Sequence, residues 1–178
     1  MLSNSLNRFR MGAVLALTFV AFIALVGCSE MPTSAEAPEG PTLLKRNLVA
    51  YRGLDEGVYT EQIVSAGEGG VVTLLDVELH FPPKALDNDT LISISIPDPA
   101  VFFNDFGTNG LQFNVPVMVV MSYRDADLSG IDENTIKIAW HNDYNDTWDI
   151  IDCTINPFDK TVVGFVSHFS AYALITDE

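Results

Sequence analysis

The sequence predicts an all-β protein, an antiparallel β-sandwich, and three observations carry that prediction. Leu91 to Ile96 reads LISISI and alternates with a period of two. Ile92, Ile94 and Ile96 fall on one face, with Ser93 and Ser95 on the other, as in a strand with one buried side. Comparable short runs recur from Tyr59 onward, separated by turns rich in Gly, Asn, Asp and Pro; that rhythm belongs to a sandwich or barrel. Beyond residue 28 no stretch of ten or more residues shows a convincing 3.6-residue period. The closing run, Thr161 to Thr176, reads TVVGFVSHFSAYALIT and alternates like a strand. It contains the triplet with chemical potential, His168-Phe169-Ser170.

The chain before the sandwich divides in two. Residues 1–27 read as an export leader: Arg8 and Arg10 precede Met11 to Val26, an uncharged apolar run of sixteen residues. A spanning helix needs about 20, so a secretory segment is expected. The run ends in Leu25-Val26-Gly27-Cys28, which resembles a bacterial lipobox. The resemblance implies diacylglycerol on the Cys28 thiol, cleavage before it, and export to a lipid-anchored place in the cell envelope. Ser29 at the next position implies the outer membrane, following the sorting pattern of enteric-type bacteria. Residues 28–57 are expected to be a flexible tether and transition, with Pro32, Pro38 and Pro41 among Ser, Thr, Ala and Glu. Residues 58–178 form the sandwich domain.

Charge narrows the partners. The full chain carries a net −15; without residues 1–27 it keeps seven basic groups against 24 acidic ones, a net −17. Such a surface repels phosphate backbones, so nucleic acid is not an expected partner. The two cysteines leave little chemistry. Cys28 is assigned to lipid, and Cys153 alone in a strand-like run reads as a small buried hydrophobe.

In chain order, Tyr59 to Ser65 leads into the turn Gly67-Glu68-Gly69-Gly70, whose glycines accept positive φ. Val71 to Leu75 and Val77 to Phe81 follow, and Pro82-Pro83 stops the ladder because proline has no N–H to donate. After Leu91 to Ile96, an aromatic loop holds Phe102, Phe103 and Phe106. Leu111 to Asn114 and Val115 to Tyr123 come next. Val115, Val117, Val119 and Met121 share one face there and Met118 and Val120 the other, so both faces are apolar, as in a central strand. Thr135 to His141 turns Ile136, Ile138 and Trp140 inward, and Trp148 to Asp152 and Thr161 onward complete the meander.

Several of these runs resemble a ZU-five domain, the β-sandwich of ankyrins, uncoordinated-five netrin receptors and tight-junction proteins. They are Gly69-Gly70-Val71-Val72-Thr73-Leu74, Leu79-His80-Phe81-Pro82-Pro83-Lys84-Ala85-Leu86 and Asp89-Thr90-Leu91-Ile92-Ser93-Ile94. Gly110-Leu111-Gln112-Phe113, Pro116-Val117 and His168-Phe169-Ser170 fit as well. The resemblance spans residues 64 to 177, with Lys84 where the family commonly has Gly. It implies a binding or domain-holding module and no general enzymatic activity. The same triplet marks self-cleavage in PIDD and in the autoproteolytic domain of a nucleoporin. Carried over, Ser170 would attack the Phe169 carbonyl with His168 as base. The alternative is structural, with Phe169 in the core, Ser170 hydrogen-bonded within the strand and His168 facing solvent.

Other constellations are weaker. Asp125, Asp127 and Ser129 occupy positions one, three and five of a calcium-loop template, with Gly130 at six and Glu133 at nine. Ile136 stands at twelve, where a bidentate Glu is required, so a solvated loop is the ordinary reading. His80, His141 and His168 have no short metal-ligand spacing, and no nucleotide or dinucleotide motif is present. No cofactor is expected. Trp140, Tyr144 and Trp148 around the acidic turn offer either two core tryptophans with an exposed tyrosine, or a sugar- or protein-contact patch. The expected partners are the membrane, through the Cys28 lipid, and a protein or glycan.

Overall fold

The computed structural model describes residues 41–47 and 57–176. The leader, Cys28 and most of the expected tether lie outside these residues. The described chain builds twelve strands and a single 3-10 turn. They are β1 (Thr42–Leu43), β2 (Val58–Val64), β3 (Gly70–Leu74), β4 (Val77–Phe81), β5 (Thr90–Ile96) and β6 (Phe103–Gly107). Then come β7 (Gln112–Ser122), β8 (Lys137–Asn142), β9 (Thr147–Ile150), β10 (Cys153–Asn156), β11 (Thr161–His168) and β12 (Ala171–Thr176).

Two sheets pack face to face. One has seven strands, in the order β2-β5-β6-β12-β8-β9, with β1 also paired to β12. The other has five, in the order β10-β11-β7-β4-β3. Every pairing between these strands is antiparallel. The sandwich expected from the alternation is therefore the observed fold.

The core follows from that alternation. Ile92, Ile94 and Ile96 of β5 are fully buried, as are Val117 and Val119 of β7. β7 is the central strand of its sheet, between β11 and β4. Its other face, with Met118 and Val120, is only partly covered. Leu79, Phe81, Phe106, Ile138, Phe169 and Leu174 fill the space between the sheets. Outside the seven-stranded sheet lies a smaller apolar cluster of Ala139, Ala173 and Ile175, packed by Leu43 and Trp148.

Three sequence expectations are corrected. The sandwich begins before residue 58. Thr42 and Leu43 pair with Thr176 and Ile175, and Leu44 is 1 % exposed. Arg46, at 3 % exposure, places Nε and Nη2 on the Asp76 carboxylate at 2.8 and 3.0 Å. Its guanidinium also lies 4.3 Å from the Phe102 ring centroid, and Nη1 donates to the Val101 carbonyl. A polar composition concealed this because the few apolar residues, Leu43 and Leu44, are too short a run to show a period. The aromatic loop contains a strand, β6, whose pattern is inverted: Phe103 faces out while Asn104 is buried. The closing run is two strands. β11 pairs with β7 in one sheet, β12 with β6 and β8 in the other, and the chain changes sheets between them.

Candidate functional site

The sheet change happens at the triplet. β11 ends with a register irregularity between Val166 and His168, and β12 begins at Ala171, so Phe169 and Ser170 form the corner. A corner of this kind must satisfy its backbone without a ladder. The Phe169 N–H donates to the Leu111 carbonyl at 2.9 Å, and the Phe169 carbonyl accepts from Gly110 N–H at 3.0 Å. His168 Nδ1 also stands 3.3 Å from that carbonyl oxygen. The Phe169 ring is buried among Phe81, Phe106 and Phe113, with centroids 6.0, 5.7 and 4.8 Å away.

Ser170 is 5 % exposed, and its hydroxyl donates to the His141 carbonyl at 2.7 Å. The hydroxyl proton is thus directed at a backbone carbonyl on β8, not at the His168 ring. His168 instead meets Trp140 edge to face at 4.7 Å, and its own carbonyl accepts from the Tyr172 hydroxyl at 2.8 Å. Phe169 and Ser170 act as structural residues, while the Phe169 carbonyl sits between two nitrogen groups able to polarise it.

A groove of 380 Å³ opens beside this corner, on the outer face of the seven-stranded sheet. Phe103, Asp105, Asn109, His141, Asp143, Trp148 and Ala171 line it. Trp148 meets Phe103 edge to face at 6.1 Å and His141 at 5.2 Å. His141 contacts Asp143 through Nδ1 at 2.8 Å and Asp146 through Nε2 at 3.0 Å. These hydrogen bonds, the one to Asp143 first, hold the imidazole pKa above its ordinary value and the Asp143 carboxyl below its own. The sequence did not indicate this groove, because its residues come from β6, β8, β9, β12 and the loop after β6. Of the two arrangements open for Trp140, Tyr144 and Trp148, the contact patch is not assembled, and the main core takes one tryptophan instead of two. Trp140 packs against the core, Tyr144 is 98 % exposed at a hairpin tip, and only Trp148 reaches the groove.

The acidic loop spends its oxygens on itself and on one lysine. Asp127 Oδ1 accepts from Ser129 N–H at 3.1 Å in an Asx turn; the Ser129 hydroxyl first, and then this N–H, hold the carboxyl below its ordinary pKa. Glu133 takes both oxygens to Lys160 Nζ, at 2.8 and 2.6 Å, and accepts from the Tyr123 hydroxyl at 3.1 Å. Lys160 is the leading reason the Glu133 pKa is lowered. Burial, then the bond to Glu133, push the Tyr123 phenol up to about 12. Among the described residues no three His, Cys, Asp or Glu side chains converge as metal ligands.

Fold and site together define an all-β sandwich with a polarised corner between its sheets and a groove beside it. No protein-family model and no curated protein matches the chain.

Proposed function

We propose that this chain is a lipid-anchored protein of the bacterial cell envelope whose sandwich, of ZU-five type, is a non-enzymatic module for contact with a partner protein or glycan. One observation carries the reading, the outer face of the five-stranded sheet. Val71, His80, Met118 and Phe165 stand in register across β3, β4, β7 and β11. With Pro82 and Pro116 they line a groove of 350 Å³. Phe165 is 62 % exposed and Val71 44 %. A row of exposed and half-exposed side chains, apolar but for the His80 imidazole, marks a contact surface more often than isolated exposed side chains do. The lipid anchor rests on Leu25-Val26-Gly27-Cys28.

Two variants test the two halves. Cys28→Ser should move the protein from the membrane fraction to the soluble fraction, and unchanged partitioning defeats the anchor. Phe165→Glu should lose whatever the wild type captures by crosslinking in its native envelope, while keeping its melting temperature. Equal capture by the variant removes this face from the proposal.

A second reading is favoured by the Phe169 carbonyl, which accepts from Gly110 N–H and faces His168 Nδ1. In it the domain cleaves itself once between Phe169 and Ser170. The Ser170 hydroxyl, released from the His141 carbonyl, attacks the Phe169 carbonyl carbon and gives up its proton to a base, the role assigned to His168. The C–N bond breaks, the amine of Ser170 takes a proton, and water hydrolyses the ester. Residues 170–178 would remain held through β12. Intact mass under denaturing conditions decides it: two fragments in the wild type and one chain in Ser170→Ala support cleavage, and a single mass in both rejects it.

A further inference from the structure

We propose that the groove on the outer face of the seven-stranded sheet binds an arginine side chain presented by a peptide segment of a partner protein. The inference stands apart from the five-stranded face and from the self-cleavage reading, since it uses neither Phe165 nor the Ser170 hydroxyl. Three features carry it.

The first is the shape. Asp105 on β6 and Trp148 on β9 are separated by β12 and β8, so the groove runs across strands over the small side chain of Ala171. Three strand spacings amount to roughly 14 Å, room for an extended arginine side chain together with part of the segment that presents it. The second is the wall. Phe103 from β6 and Trp148 from β9, in edge-to-face contact, supply an aromatic wall along the groove. A guanidinium or its alkyl stem packs well on such a surface.

The third is charge. His141 directs its two ring nitrogens to Asp143 and Asp146. Asp105, by contrast, is exposed and has no hydrogen-bonded or ionic partner among the described residues. The groove therefore presents an unpaired carboxylate beside an aromatic wall, in a chain of net charge −15. A neutral sugar would match the aromatic wall and hydrogen-bond Asp105 but bring no charge to it. An arginine matches both, because its planar fork fits a carboxylate while its stem lies on apolar surface.

The test is a fluorescence titration of the full chain in detergent, at physiological ionic strength, with acetyl-Gly-Arg-Gly-amide as probe. The chain has two tryptophans; Trp148 lines the groove, whereas Trp140 packs against the core and serves as an internal reference. The expected result is a saturable change that Asp105→Asn weakens at least fivefold. Glu68→Gln, an acid removed from a distant turn, should leave it within twofold. The citrulline peptide, with the same shape and no charge, should bind at least fivefold more weakly than the arginine peptide. Equal weakening by Asp105→Asn and Glu68→Gln would mean diffuse attraction to an acidic chain and would overturn the proposal. So would a saturable response to cellobiose with none to the arginine peptide, which would make the groove a glycan site.

Discussion

Lys84 adopts a φ of 69°, in the left-handed region that favours glycine. Its N–H donates to the Ala66 carbonyl at 2.8 Å, so the turn is fixed by a hydrogen bond whatever side chain it bears. A non-glycine residue there costs about 1–2 kcal/mol, while glycine costs 0.5–1 kcal/mol, roughly, in extra unfolded-state freedom. Lys84→Gly should therefore raise stability by up to about 1 kcal/mol, seen as a higher urea midpoint with an unchanged slope. Gly69, at φ 76°, is the opposite case, because a Cβ there would run into the Phe81 carbonyl. At His141 the consequence is pH dependence. Its pKa is raised in the folded state by Asp143 and then Asp146. The associated stability is complete below the unfolded value near 6.5 and disappears as pH rises through the folded value. In His141→Asn the loss of melting temperature relative to wild type should be larger at pH 5.5 than at pH 8.5. A constant difference would show that the imidazole charge contributes nothing.

At the scale of elements, β1 and β12 depend on each other. β8 runs beside β12 from Tyr172 to Ile175; on the other edge β6 pairs with Ala171 to Ala173, and β1 takes over beside Ile175 and Thr176. Arg46 secures this addition, since its side chain is fully buried against an Asp76 that is 8 % exposed. Removing one partner of such a pair strands the other charge, which typically costs about 3–5 kcal/mol. Arg46→Ala should destabilise by that order, and Arg46→Met with Asp76→Leu by less, measured by chemical denaturation. If Arg46→Ala unfolds at the wild-type midpoint, the segment is not part of the cooperative unit. The β11–β12 corner works differently. Its stability comes from Phe169 in the aromatic cluster and from hydrogen bonds to the Gly110–Leu111 loop and β8.

The whole molecule is acidic, with an isoelectric point near 4.3, and its carboxylates set the acid limit. Asp127, Glu133 and Asp143 all have lowered pKa values. Their contribution is present above the ordinary carboxylate range and is lost as pH falls through their folded values. With His141 acting in the opposite direction, thermal stability should peak between about pH 5 and pH 6.5 and fall on both sides. A melting temperature that keeps rising from pH 6 to pH 9 would contradict this balance. Calcium should not raise the melting point, because Glu133 is already bound by Lys160 and Tyr123. A rise of several degrees in millimolar calcium would mean the loop reorganises to take the ion.

The class of fold was legible because a sandwich is written in local alternation. Ile92, Ile94 and Ile96 must share a face, and prolines and glycines mark where ladders stop. The turn at Gly69, the inward Trp140 and the central place of β7 were legible for the same reason. Partnership between distant strands is not local, and there the sequence fell silent. Nothing in TVVGFVSHFSAYALIT announces that its halves lie in different sheets, because β11 and β12 share one alternation on either side of the corner. The outward Phe103 and buried Asn104 invert the polar pattern, so β6 could not be told from a loop. The triplet was visible as residue types, but the hold of Gly110 on the Phe169 carbonyl was not. The groove shows the limit best: Asp105, His141, Trp148 and Ala171 are brought to one surface only when β12 enters between β6 and β8. Alternation determines which face a side chain takes, while the long-range pairing of strands determines which side chains it meets.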